Sequence, residues 1–261
     1  MAVEFDFSNA LIKCSSVDQL NVDDVAQCLS DYHFCVLRGL IASDNLRQGL
    51  KKLQTFVETH DDRPTTGEAA SEIRGYFMKM SIGHARHGGV ERPRFKRAIY
   101  NPLSEPDQFG LHDHFRTLAK IRNILSSKPL DFSSCRVEEN LWTAARIHHF
   151  PSGGGFMVVH RDTVLPKVIK EEGFAGGFYQ PLIIMSQKGE DFDVGGGVVQ
   201  IGEKLYEYED FGERGDIVIY DGSTLHGVND IDPHLPYNQR SGSGRYSGLA
   251  TLYKDMSGPK S

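Results

Sequence analysis

The chain has 261 residues and contains no run of about 18 apolar residues, the length a membrane-spanning helix needs. Its opening stretch, Met1 to Phe7, lacks the basic segment and apolar core of a secretory signal, so no signal peptide is expected. Positive charge is in short supply. Lys and Arg number 29 against 35 Asp and Glu, a net charge of −6. That balance argues against a nucleic-acid or membrane-surface partner, because both require a positive field. Cysteine is scarce too. Cys14, Cys28, Cys35 and Cys135 include no Cys-x-x-Cys pair, and they read as free buried thiols suited to a reducing cytoplasm. No internal repeat or low-complexity run is present. Gly195-Gly196-Gly197 is not followed by Lys-Ser/Thr or a helix, so it reads as a strand junction and not a phosphate loop. His160-Arg161-Asp162 mimics a protein-kinase catalytic loop. The matching Asn and an Asp-Phe-Gly are missing, so a kinase is set aside.

What remains is an ordinary globular balance: 39% hydrophobic and 25% charged residues exclude a disordered chain. A chain this long buries roughly three quarters of its unfolded surface and needs no disulfide or metal for stability. Glycine is uneven, with 8 of 27 in residues 1–150 and 19 in residues 151–261. Apolar spacing predicts helices over 17–31, 43–59 and 107–127, and a short strand over His33–Leu40. A polar loop is expected over 60–72. The basic stretch 84–97, with Arg86, Arg92, Arg94, Lys96 and Arg97, reads as a solvated loop, with a lid that meets an anionic substrate as its alternative. His112-Asp113-His114 reads as a solvated helix face. From about residue 137 the period changes to two. Strands are expected at Leu141–Phe150, Phe156–His160, Gln180–Ser186, Val198–Ile201, Asp216–Tyr220 and Arg245–Tyr253, mostly separated by glycine clusters. The fold class is therefore α+β, with one domain: helical support and lid over 1–136 and a β core over 137–255.

The chemistry concentrates in that core. On a strand, residues i and i+2 share a face, so His160 and Asp162 point together and Arg161 points away. Gly215 to Tyr220 then reads as a strand, and His226 follows on the next. Two histidines and one carboxylate leave three adjacent positions open on an octahedral metal, the arrangement of non-haem Fe(II) sites. Alternation in the strand before them places Arg146, His148 and Phe150 on one face and Ala145, Ile147 and His149 on the other.

His160-x-Asp162, the Gly215-Asp216-x-Val218-x-Tyr220 strand leading to His226, and Arg245-Tyr246-Ser247 together resemble the Fe(II)/2-oxoglutarate-dependent oxygenases. Residues 137–255 resemble their double-stranded β-helix (jelly-roll, cupin-like) core, in the layout of the prolyl-hydroxylase branch. Residues 33–57 resemble the helical part of phytanoyl-CoA-hydroxylase-like members. The resemblance implies that His160, Asp162 and His226 bind iron. It implies that Arg245, with Ser247, grips the distal carboxylate of 2-oxoglutarate, with Arg240 as the second candidate. The spacing from His226 to Arg245 is longer than the family's usual one, which an inserted loop over 230–244 accounts for. Phe150 stands where prolyl-hydroxylase-like members often carry a tyrosine facing the co-substrate, so Arg146 or His148 becomes a candidate donor to 2-oxoglutarate.

By the same resemblance the cofactors are Fe(II), 2-oxoglutarate and O2, with ascorbate as an accessory reductant. The reaction is hydroxylation of a small molecule, an amino-acid derivative or a secondary-metabolite intermediate, with release of succinate and CO2. Desaturation, cyclisation and dealkylation are its variants, and Asp162 argues against halogenation. A cupin-type metal enzyme that does not use 2-oxoglutarate is the main alternative; a non-catalytic sensor and a zinc hydrolase are others. Trp142, Tyr179 and Gln180 are pocket candidates beyond the cofactor.

Overall fold

A computed structural model describes residues 5–63, 77–87 and 90–255. Much of the expected polar loop 60–72 lies outside the described residues, as do the side chains of His84, Arg86 and His87. The strands, in chain order, are β1 (Leu11–Lys13), β2 (Phe34–Arg38), β3 (Phe77–His87), β4 (Val90–Tyr100), β5 (Leu141–Pro151) and β6 (Gly155–His160). After them come β7 (Tyr179–Ile184), β8 (Gly196–Ile201), β9 (Lys204–Glu207), β10 (Ile217–Asp221), β11 (His226–Ile231) and β12 (Gly244–Lys254). They hydrogen-bond in the order β1-β2-β10-β7-β12-β5-β4-β6-β11-β8-β9, with β3 on β4. Every pairing is antiparallel except β1 with β2. The sheet curls, so that Gln180 and Leu182 of β7 face the same cavity as His226 and Val228 of β11.

Four α-helices accompany the strands in the described residues. α1 (Val22–Tyr32) is capped by Asn21, whose side chain accepts from the Asp23 amide, and it ends at His33 in the left-handed region. The first part of the expected helix 17–31 is instead a single 3-10 turn over Val17–Gln19. α2 (Ser43–Thr59) buries Leu46, Leu50, Leu53 and Val57 at helical spacing, as the pattern predicts. α3 (His112–Leu125) opens where the Asp107 carboxylate accepts from the amides of Gly110 and Leu111 just before it and of His112, its first residue, an otherwise unsatisfied donor. α4 (Val164–Glu171), directly after Asp162, was not foreseen.

The main core joins these helices to the sheet. Val25, Leu29, Leu46, Leu50, Leu118 and Ile121 pack with Val36, Ile183 and Val218, all at most 5% exposed. Each such side chain contributes about 1.5–3 kcal/mol from apolar burial.

Three further expectations are corrected. The stretch 84–97 is not a solvated loop: it belongs to the β3–β4 hairpin, and β4 pairs with both β5 and β6. Its alternation is between basic side chains on one face and mixed ones on the other, so no apolar period advertised a strand. The expected helical support of residues 1–136 thus also supplies a wall of the β core. His112 is not on a solvated face either. It is 3% exposed, and its Nε2 lies 3.2 Å from Asn101 Oδ1. Cys14, Cys28 and Cys35 are free and buried as expected, whereas Cys135 is exposed.

Candidate active site

β6 and β11 pair so that His160 lies opposite His226, with ring centroids 4.5 Å apart. Asp162 follows two residues after the first histidine. Its Oδ1 is 3.7 Å from His160 Nε2, and its Oδ2 is 3.7 Å from His226 Nε2. One ligand atom from each residue lies within 4.8 Å of the others. Both rings are oriented from behind. His160 Nδ1 donates to the Val158 carbonyl at 2.8 Å, and His226 Nδ1 to the Thr224 carbonyl at 3.1 Å. A carbonyl can only accept, so each Nδ1 is the donor and each Nε2 is left facing the carboxylate. That second contact is how metal-ligating histidines are commonly fixed. Burial, reinforced by the neighbouring His226, lowers the His160 pKa to about 4, which keeps the ring neutral. Arg161 points away, with its Nε donating to the Ser223 carbonyl.

The three residues stand at the edge of a cavity of about 290 Å³. At this size it falls near the lower end of small-molecule sites. Arg245 and Ser247 line it from β12, and Arg146, His148 and Phe150 from β5. The register pairs Arg245 with Phe150, Ser247 with His148 and Leu249 with Arg146, so one face of each strand meets the cavity, as alternation predicts.

Arg245 is 1% exposed and held by Glu209, with Nε 2.7 Å from Oε2 and 2.9 Å from Oε1. Its Nη1 donates to Ser247 Oγ at 3.2 Å and its Nη2 to the Tyr208 hydroxyl at 2.9 Å. Burial opposes the charge of Arg245, but Glu209 outweighs it and the pKa is raised. Tyr208, pushed up to about 12 mainly by burial, also meets the Tyr220 hydroxyl at 3.1 Å. The Tyr220 ring stacks on His226, with centroids 4.4 Å apart. Arg245 is therefore connected to His226 through two tyrosines.

Gly197 is needed here. A Cβ on it would overlap the Tyr208 ring and hydroxyl, and its amide donates to Glu209 Oε2 at 2.6 Å.

Arg240 is excluded from this cavity. Its side chain is 57% exposed and pairs with Asp61 at 2.6 Å. His149 is a neutral core residue on the opposite face. It stacks on Tyr246 at 4.2 Å, with burial lowering its pKa to about 3. Gln180 lines the cavity, while Trp142 and Tyr179 do not. Trp142 instead packs with Phe77, Ala98, Tyr100 and Ala144.

Sequence reasoning missed Glu209 and Tyr208, and it placed Tyr220 in the strand leading to His226 without giving it a role at the site. Tyr220 had a signal, as the last alternating position of the strand before His226. Glu209 and Tyr208 had none, because they sit in a 3-10 turn over Tyr208–Asp210.

A curled antiparallel sheet of this order, with helices packed on it, defines the class: an α+β double-stranded β-helix, or jelly-roll, protein. Solved structures share the fold. A prolyl hydroxylase from Trichoplax adhaerens, solved with a hypoxia inducible factor oxygen degradation domain peptide fragment, is 14% identical. The match covers 90% of this chain and 89% of that one, with a TM-score of 0.52. JOX2, solved in complex with 2OG, Fe and JA, is 11% identical over 94% of this chain and 74% of its own, with a TM-score of 0.55. The likeness is one of fold. No family profile matches this chain, and no curated protein matches it in sequence.

Proposed function

We propose that this protein is a non-haem Fe(II)/2-oxoglutarate-dependent oxygenase that hydroxylates a small molecule. The observation that carries the reading is the convergence of His160, Asp162 and His226 on one point of a cavity whose wall also holds the buried guanidinium of Arg245. The donor set fits the metal. Two imidazole nitrogens, each aimed through its Nδ1 contact, and one carboxylate are the ligand chemistry of Fe(II) oxygenases, and Asp162 supplies the anionic member. The cavity also fits the co-substrate. The Nε of Arg245 is taken by Glu209, so its two terminal nitrogens, beside the hydroxyls of Ser247 and Tyr208, are the atoms that would meet a carboxylate.

When bound, iron and 2-oxoglutarate supply the O2 chemistry, with release of succinate and CO2. The chain's own contributions are positional. Val158 and Thr224 aim the two imidazoles through their carbonyls. Glu209 fixes the plane of Arg245 and keeps it charged in a buried setting. Tyr220 braces His226 from behind. Phe150 lies under Arg245, ring centroid to guanidinium 5.3 Å.

One observation favours a second reading, a metal enzyme of the same fold that does not use 2-oxoglutarate: the Arg245 charge already has a carboxylate partner in Glu209. The deciding experiment is anaerobic titration of the chain with Fe(II) and 2-oxoglutarate. The oxygenase reading expects a visible metal-to-ligand charge-transfer band that His160→Ala and Asp162→Ala abolish and Arg245→Ala weakens. A metal-loaded protein with no such band and no succinate release supports the second reading.

A further inference from the structure

The two histidines of the site are held by their strands and by the Val158 and Thr224 carbonyls. Asp162 is framed differently. β6 ends at His160 and α4 begins at Val164, so the carboxylate sits on a three-residue link between the two elements. Neither the ladder nor the helix fixes that link. A binding constellation needs its side chains held within roughly 0.5 Å of the productive geometry, so something else must hold Asp162.

Arg92 stands in the right place. It belongs to β4, which pairs with β6 at Arg94–Met157 and Phe95–Phe156. The pairing is antiparallel, so stepping back from Arg94 to Arg92 moves along β6 from Met157 toward His160. The guanidinium there straddles Asp162. Its Nη1 lies 3.5 Å from Asp162 Oδ1. Its Nη2 donates to the Arg161 carbonyl at 2.7 Å and lies 3.5 Å from Thr163 Oγ1. One side chain thus meets three successive residues, with the proposed ligand in the middle. The same link is tied to the turn before His226, where the Ser223 carbonyl accepts from Arg161 Nε at 2.8 Å.

The side chains of Arg92 and Asp162 are 9% and 18% exposed, so their attraction is screened less than that of a surface pair. Arg92 Nε is buried without a hydrogen-bond partner. The orientation of the guanidinium is therefore set by its terminal nitrogens, the atoms that hold the link. Two effects of this cation compete at a metal site: it repels a divalent ion, and it fixes the ligand. Holding the ligand prevails as a rule, since loss of such an outer partner typically costs about 10–100-fold in metal affinity.

We infer that Arg92 is a positioning residue of the metal site, acting through Asp162 to hold its carboxylate between His160 and His226. The inference rests on the proposed ligand set and adds a residue on which that set depends.

The test titrates the full metal-free chain anaerobically with Fe(II) and, separately, with Co(II), whose visible absorption reports the geometry of its ligands. Arg92→Met is expected to weaken binding of both metals by about 10–100-fold and to alter the Co(II) spectrum. Arg92→Lys keeps the charge but loses the planar fork, so it should recover the affinity only in part. A merely structural arginine would lower the thermal midpoint of the metal-free protein and leave the Co(II) spectrum as it was, an outcome that overturns the inference. So does wild-type or tighter metal binding by Arg92→Met. Should Arg92→Met fail to fold, Arg92→Lys decides: weaker Co(II) binding with an altered spectrum supports the inference, and wild-type affinity with an unaltered spectrum overturns it. Wild-type protein that binds neither metal removes the ligand set itself, and the inference with it, which distinguishes that failure from a failure at Arg92 alone.

Discussion

The guanidinium of Arg245 and the carboxylate of Glu209, 36 residues earlier, form a buried ion pair with Nε 2.7 Å from Oε2, both side chains 1% exposed. Removing one partner leaves the other charge buried and uncompensated. Glu209→Ala and Arg245→Ala should each cost about 3–5 kcal/mol, while the double variant loses clearly less than the sum. Urea denaturation of the four species checks this. Additive losses would show that the pair contributes no coupling.

The cluster of His160, Asp162 and His226 predicts loss of metal without loss of fold. His160→Ala and Asp162→Ala should remove stoichiometric Fe(II) binding in anaerobic titration and abolish succinate release, while far-ultraviolet circular dichroism stays native. Full succinate release by both variants would falsify the proposed ligand set.

Tyr208 offers a subtler test. Its hydroxyl sits between Arg245 Nη2 and the Tyr220 hydroxyl. Tyr208→Phe removes a hydrogen-bond partner from a charged group, worth about 1.5–3 kcal/mol. The KM for 2-oxoglutarate should rise by about tenfold or more, with kcat changed less. Gly197→Ala should reproduce the effect from the opposite side, because its methyl group would displace Tyr208. Steady-state kinetics in 2-oxoglutarate measures both, and unchanged KM values would remove Tyr208 from the binding role.

Arg240 supplies the contrast. It is exposed and paired with Asp61. Arg240→Ala should leave the 2-oxoglutarate KM within about twofold, as expected of an exposed ion pair, whereas Arg245→Ala should raise it far more. A large effect at Arg240 would reverse the assignment.

Asp232 predicts a pH dependence of stability. It is 3% exposed and accepts from Ser152 Oγ at 2.7 Å and from the amides of Asp193 and Val194 at 2.8 and 2.9 Å. Burial works against its ionisation, but these bonds prevail and hold its pKa below the ordinary carboxylate value. A lowered folded pKa adds stability above the unfolded value of about 3.9 and loses it as pH falls through the folded one. Asp232→Asn should therefore be destabilising at pH 7. Its deficit against wild type should shrink as the pH drops below about 4, as acid denaturation midpoints would record.

Much of the core was legible because its physics is local. Period-two alternation and glycine turns located β5, β6, β7, β8, β10 and β12 to within a few residues. The same alternation placed Arg146, His148 and Phe150 on the face that meets the cavity. β4 escaped notice because its inward positions Arg92, Arg94 and Lys96 are charged, and a strand whose buried face is basic carries no hydrophobic period. His112 was misread for a related reason. It is buried with its ring against Asn101, in the loop after β4, a long-range contact that helix periodicity does not register.

The sequence by itself determined the strands of the β core and the shared face of His160 and Asp162, because side-chain alternation constrains those features directly, while Arg245 as the leading arginine came from the resemblance of Arg245-Tyr246-Ser247 to the oxygenase pattern. Only the tertiary structure decided what those groups face. It paired Arg245 with Glu209, linked it through Tyr208 and Tyr220 to His226, sent Arg240 to the surface and turned a basic segment into a cavity wall. These are contacts between residues far apart in the chain, and the curling of the sheet, which no local spacing encodes, brings them together.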